Sequence, residues 1–432
     1  MPSWPEHVFW WHVYPLGFVG APIRDGVDPD AAPTHRLDRL EPWLDHVIEL
    51  GLNGLLLGPV FASETHGYDT VDHFRIDPRL GDDADIDRLL HAARERGIRV
   101  LFDGVFNHVG RGHPAFRALL DGGDDADLFR GRWVDGRFEP DVFEGHGALV
   151  ALDHSSDATV DLVVDVMCHW LDRGIDGWRL DAAYAVPPEF WARVLPRVRE
   201  RFPEAWFVGE VIHGDGAAIV DASTMDALTQ YELWQGIWHG IADGNFFELS
   251  HAIERHDELL ATFVPQTFVG NHDVTRIASA VGPELVPHAL AVLFTVAGTP
   301  SVYAGDEFGW TAVKEEREGG DDAVRPEFPA TPGEVAHVDD RILDAHRALI
   351  ALRRRHPWLW RARTDVVEVT NTTLVLRTAV DDEAIVVALS LDDAPLTLPA
   401  ADAASLAAGE GPLQDGRIAL PPRGWAVLSS HP

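Results

Sequence analysis

This 432-residue chain has almost no cysteine and almost no lysine. Cys168 stands alone, which excludes an internal disulfide and fits a reducing cytoplasm. Lys314 is the single lysine, so the other 34 basic residues of the 35 are arginine. No run of 18 or more apolar residues occurs, so the sequence predicts no membrane-spanning helix. The opening MPSWPEHVFWW has no basic start followed by an apolar core, and no signal peptide is expected. Positive charge is also scarce: 35 basic against 70 acidic residues give a formal charge of −35. Nucleic acid and anionic membranes are therefore excluded as expected partners, because both need clustered cations. Codon bias in a GC-rich genome and adaptation to high salt both account for the arginine-rich, acidic composition.

What is present is an alternation of short apolar runs with helical patterns. Strands are expected at 7–15, 52–61, 98–106, 175–181, 205–210, 225–233, 265–273 and 299–309, with helical segments between them. Residues 107–157 interrupt the alternation and read as loop. From about Thr364 the pattern becomes a period-2 alternation with turns. The fold class expected is α/β: a (β/α)8 TIM barrel over 1–106 and 158–360, an inserted subdomain over 107–157, and a C-terminal antiparallel β-sandwich over 361–432.

In such a barrel the chemistry gathers at the carboxyl ends of the strands. Ionisable residues recur there: Asp103, Asn107 and His108 after the third strand, and Arg179 and Asp181 in GIDGWRLDAAYA. Glu210 and His213 follow in FVGEVIHG, and His272, Asp273 and Arg276 in FVGNHDVTR. Strand positions two apart share a face, so Arg179 is expected beside Asp181, keeping that carboxylate ionised as a nucleophile would require. Glu210 has no cation beside it in sequence, and like charge from Asp181 and Asp273 suits it to general-acid work. A structural ion pair explains any one of these groups; three carboxylates converging on one rim point to a site.

These four clusters, in this order, resemble the conserved regions of the α-amylase superfamily of glycoside hydrolases, over about residues 7 to 330. The resemblance implies Asp181 as nucleophile, Glu210 as acid/base and Asp273 as the carboxylate that holds and distorts the sugar. It implies Arg179 as positioning residue, and His108 and His272 as hydrogen-bond partners of sugar hydroxyls. THGYDTVDHFRIDPRLG is similar to the family segment after the second strand, making Tyr68 the platform under the ring. GGDDAVRP resembles the segment carrying an Asp and an Arg to the same sugar, here Asp321 and Arg325.

GEVIHG looks like the Gly-Glu-x-Trp-His pattern of cyclomaltodextrinases and neopullulanases, with His213 kept and Ile212 replacing the tryptophan. The Lys-His pair that follows the nucleophile in calcium-dependent amylases is Tyr184 and Ala185 here. No metal is therefore expected to be required, and no cofactor. The barrel begins near residue 7, without the N-terminal β domain of those enzymes, as in an intracellular branch that includes cyclic maltosyl-maltose hydrolases. Trp133, Trp234, Trp238 and Trp310 are the expected sugar platforms among fifteen tryptophans. The expected function is a cytoplasmic retaining hydrolase of short or cyclic maltooligosaccharides, with an α-linked glucooligosaccharide as partner and a homodimer compatible with the resemblance. An α-glucosidase or glucanotransferase would use the same residues. A non-catalytic binding subunit of the family would have lost one of the three acids.

Overall fold

Eight short strands run parallel around a barrel in the computed structural model, which describes residues 2–123 and 125–431. They are β1 (Trp10–Val13), β2 (Gly54–Leu57), β3 (Arg99–Gly104), β4 (Gly177–Leu180), β5 (Trp206–Gly209), β6 (Ala227–Leu228), β7 (Gln266–Phe268) and β8 (Thr299–Tyr303). The hydrogen-bonded order is β6-β5-β4-β3-β2-β1-β8-β7. A parallel bridge from Thr229 to Gln266 joins the two remaining edges and closes the ring. Strands buried on both faces need no polar alternation, which is why segments such as GLLL and WFVG read as continuous apolar runs.

Alternate side chains nevertheless go to different places. Trp10, Leu56, Leu101, Trp206, Val208 and Ala227 fill the barrel interior, where Trp10 and Trp206 stack at 5.9 Å. Trp11, Leu55, Leu57, Phe102, Trp178 and Phe207 pack outward under the helices. Gly54 is required by this arrangement, since a Cβ there would lie 2.4 Å from the Trp10 ring. With Leu101 and Phe102 so placed, Asp103 returns to the interior. The register sets Arg179 of β4 directly opposite it.

Two expectations change. The sixth strand is only Ala227–Leu228, and a helix runs from Tyr231 to Ala242 where strand was expected. The Gln230 side chain starts that helix by accepting from the Leu233 N–H at 3.4 Å. The eighth strand stops at Tyr303, because Gly305 and Gly309 both adopt positive φ and turn the chain. Two helices, Tyr231–Ala242 and Phe246–Leu259, separate β6 from β7.

The stretch after β3 is not plain loop. His108–Gly110 pairs antiparallel with Leu149–Ala151, Gly131–Val134 pairs with Arg137–Pro140, and Val109, Phe116, Phe129, Val150 and Leu152 form a small core of their own. After the helix Asp340–Arg355, the chain forms an antiparallel five-stranded sheet and a three-stranded sheet. Period-2 alternation divides the larger sheet. Leu374, Leu376, Ile385 and Val387 pack with the barrel core, while Val375, Val386 and Ala388 pack with Leu398 and Ile418 of the smaller sheet.

Candidate active site

Arg179 is the hub of the rim. Only 3% exposed, it gives Nη1 to both oxygens of Asp103 at 2.7 and 2.6 Å, and Nη2 to Glu210 Oε1 at 2.6 Å. Asp181 Oδ1 lies 3.6 Å away. The expected Arg179–Asp181 ion pair is present, but it is the longest of the three contacts this guanidinium makes. Strand β4 ends at Leu180, so the guanidinium meets its cross-strand neighbour Asp103 and the carboxylate beyond β5 before it meets Asp181.

The charge balance changes with it. Burial, with Glu210 and Asp103 beside it, pushes Asp181 well above the usual carboxylate range, and Arg179 at 3.6 Å only partly opposes this. Burial raises Asp103 too, against the pull of Arg179. Asp273 goes the other way: burial would lift it, but His272 and Arg325 hold it well below the usual range. Its Oδ1 accepts from Arg325 Nη2 at 2.6 Å, and its Oδ2 lies 2.9 Å from His272 Nε2.

Glu210 is held from three directions. Besides Arg179, Tyr231 donates its hydroxyl to Oε1 at 2.9 Å, and the Ala182 N–H donates to Oε2 at 3.1 Å. Ala182 adopts φ 46°, a left-handed conformation that an alanine takes only under constraint, in the residue after Asp181. Asn271 Nδ2 donates in turn to the Tyr231 hydroxyl at 2.9 Å, and Asn271 Oδ1 accepts from the Asp273 N–H at 2.8 Å. Tyr231 and Asn271 thus connect the carboxylate after β5 to the one after β7. The sequence reading missed both; Tyr231 was hidden in a segment read as strand, and its position at the start of a rim helix was the available signal.

The remaining candidates divide. Tyr68 is half-buried, donates to Asp103 Oδ2 at 3.1 Å, contacts His272 Nε2 closely and stacks on that ring at 5.6 Å. His108 is buried behind it. Its Nε2 donates to the Tyr68 carbonyl at 2.9 Å, its Nδ1 accepts from Asn107, and burial pushes it down to about 4. With both nitrogens engaged, His108 holds the Tyr68 loop instead of offering a free donor to sugar. His272 is fully buried between Tyr14 and Tyr68, with Nε2 turned to Asp273. Asp321 reaches Arg325 Nη2 at 3.1 Å, whereas Asp322 turns outward to Arg24, which separates the two adjacent aspartates. Arg276 pairs with Asp306 at 2.7 Å inside the protein, away from the acids.

His213 is exposed, edge-on to Tyr184 at 5.4 Å. Beside it Ile212 is 47% exposed, and both line a cleft of about 360 Å³ with Tyr231 and Trp234. Tyr184 donates its hydroxyl to Glu144 Oε1 at 2.9 Å, tying the loop after β4 to the inserted segment. Trp234 and Trp238 line a second pocket, of about 330 Å³, together with Asp273. Trp133 is 56% exposed on the outer hairpin and packs edge-on against Phe138. Trp310 packs on Phe328 at 4.5 Å and donates to the Ala336 carbonyl, which fits a supporting position. Among the described residues, His35, Asp82 and Asp85 form the one cluster with ligand-like spacing, and Asp82 and Asp85 there cap the helix Asp83–Glu95.

A closed (β/α)8 barrel with Asp181 after β4 and Glu210 after β5 on Arg179, and Asp273 after β7 on Arg325, defines an α-amylase-type protein. The family described as "Alpha amylase, catalytic domain" matches residues 37–145 and 142–332, and the chain belongs to it. It is 32% identical over 339 residues to a cyclomaltodextrinase of a Bacillus species, covering 71% of this chain and 60% of that protein. It is 30% identical to neopullulanase 2 of Thermoactinomyces vulgaris, covering 82% of this chain and 64% of the relative. The chain thus spans about 60% of the length of these curated relatives. Among solved structures, a cyclic α-maltosyl-(1→6)-maltose hydrolase from Arthrobacter globiformis in complex with cyclic α-maltosyl-(1→6)-maltose superposes with a TM-score of 0.83. It is 26% identical and covers 99% of both chains.

Proposed function

We propose that the protein is a retaining α-glucan hydrolase acting in the cytoplasm on short linear or cyclic maltooligosaccharides, without a required metal. The observation that carries this is the group of Asp181, Glu210 and Asp273 at the ends of β4, β5 and β7. One guanidinium reaches both Asp181 and Glu210. That keeps the two carboxyl groups on one side of the rim, and a retaining mechanism expects about 5–5.5 Å between them.

Tyr68 and the Asp273–Arg325–Asp321 group hold the glucosyl unit at the cleavage position. Glu210, protonated, gives its proton to the glycosidic oxygen as that bond breaks. Ionised Asp181 attacks the anomeric carbon and forms a glycosyl ester. Glu210, now a carboxylate, takes a proton from water, and the resulting hydroxide displaces Asp181 with net retention. Glu210 must carry a proton to act as the acid, yet Arg179 Nη2 lies 2.6 Å from its Oε1. Protonating Glu210 is therefore coupled to loosening the Arg179–Glu210 contact. Ile212, standing where the resemblance has a tryptophan, removes one aromatic face from the acceptor side, while Tyr231 and Trp234 remain in the same cleft.

The test is product analysis with maltotriose, cyclodextrin, pullulan and cyclic maltosyl-maltose. Release of glucose or maltose with retained α-configuration is the expected result. Inverted products, or no turnover of any of the four, would sink the reading.

A further inference from the structure

The pocket behind Asp273 is the most informative unexplained space on the rim. Its walls are Trp234 and Trp238 from the helix after β6, with ring centroids 5.9 Å apart. Val269, Ile277 and Ala280 also line it, and Asp273 opens it to the acids. The far side is Lys314, the only lysine in the chain. Its backbone N–H donates to Thr275 Oγ1 at 3.1 Å, which fixes the loop. Among the described residues its ammonium pairs with one carboxylate, Glu316 at 3.9 Å, which is itself 93% exposed and a weak partner. At about 330 Å³ the space lies at the small end of ligand pockets, roughly 300–1,000 Å³.

An indole face takes the apolar C–H side of a pyranose, while an ammonium supplies donors to its hydroxyls. A chain that uses arginine everywhere else has here the one cation that is a compact three-donor point and not a planar fork made for carboxylates. The geometry points to this pocket as a further carbohydrate subsite, in which a glucosyl unit adjoining the one at Asp273 rests against Trp238 and Trp234 and accepts hydrogen bonds from Lys314. This rests on the proposed α-glucan activity and deepens it. Lys314 becomes a specificity-determining residue for chain length or branch.

A lone lysine makes the test direct. Reductive methylation of the full-length Glu210→Gln variant, read by mass spectrometry of the Lys314 peptide, reports occupancy without turnover. Maltohexaose is expected to slow modification several-fold, and glucose at equal concentration to do so far less. Separately, Lys314→Gln and Trp238→Ala should each lower the ratio of kcat/KM for maltohexaose over that for p-nitrophenyl α-glucoside about tenfold, the effect of losing ~1.4 kcal/mol of contact. The Lys314 side chain is a third exposed, so its replacement leaves the core intact. Equal modification with and without maltohexaose, or unchanged ratios in both variants, overturns the subsite. Absence of α-glucan turnover by the wild type while maltohexaose still protects Lys314 overturns the hydrolase reading and leaves the subsite standing.

Discussion

Replacing Arg179 by methionine separates two accounts of the rim. On sequence grounds the arginine serves Asp181; in the structure it serves Asp103 and Glu210 at 2.6 Å, with Asp181 at 3.6 Å. Removing it leaves buried carboxylates without their counter-ion. Breaking one buried pair costs ~3–5 kcal/mol, a large share of the ~5–15 kcal/mol that holds a typical protein folded. Hydrogen bonds to a charge contribute ~1.5–3 kcal/mol each, and only the contacts near 2.6 Å qualify as such. The coupling between Arg179→Met and Asp103→Asn in a double-mutant cycle should therefore exceed that between Arg179→Met and Asp181→Asn by ~1.5–3 kcal/mol.

The pH dependence has a definite sign. Asp103 and Asp181 already sit above the usual carboxylate range in the fold, and losing the guanidinium raises them further. A carboxyl with a raised folded value is tolerated below its unfolded value, about 3.9, and costs stability as pH climbs through the folded one. The deficit of Arg179→Met in thermal unfolding should thus grow from pH 4 to pH 8. Urea or thermal midpoints for the two cycles at pH 7, and for the single variant across pH, are the measurements. Equal coupling to Asp103 and Asp181, or a pH-independent deficit, would refute the reasoning.

Asp181→Asn and Glu210→Gln should each reduce kcat by several orders of magnitude with the fold intact by circular dichroism, because each removes a bond-making or proton-transferring group. Tyr231→Phe should lower the unfolding free energy by the ~1–3 kcal/mol that an unpaired buried Asn271 amide costs, and lower kcat more than it changes KM. Asp273→Asn should lose the pairing with Arg325, so that stability which in the wild type falls away only at strongly acid pH becomes flat there, read from acid-unfolding curves. Excess chelator should leave activity and melting temperature unchanged, checked by assay and calorimetry side by side.

The barrel was legible because its strands are buried on both faces: GLLL, WFVG and the helical stripes between such runs leave few alternatives. The acids were legible for a related reason, since carboxylates at the ends of apolar strands have no cheap structural explanation. Local pattern failed where a contact between distant segments decided. Tyr231 reads as strand until Gln230 caps a helix, and Asp322 is indistinguishable from Asp321 until Arg24 claims it from nearly 300 residues away. Trp310 and Trp238 look alike in sequence, yet one packs beneath Arg276 and Phe328 and the other walls a pocket at Asp273.

The sequence by itself determined which residues could do the chemistry and that they come together at one end of a barrel, because hydrophobic periodicity and desolvation cost are written along the chain. Only the tertiary structure decided how charge is shared among them. Arg179 and Asp181 are two residues apart, but the parallel register sets Asp103 opposite the arginine and the β5 rim brings Glu210 to its other nitrogen. Electrostatic energy follows distance and burial, not sequence separation, and the nearest carboxylate to a guanidinium is fixed by strand pairing.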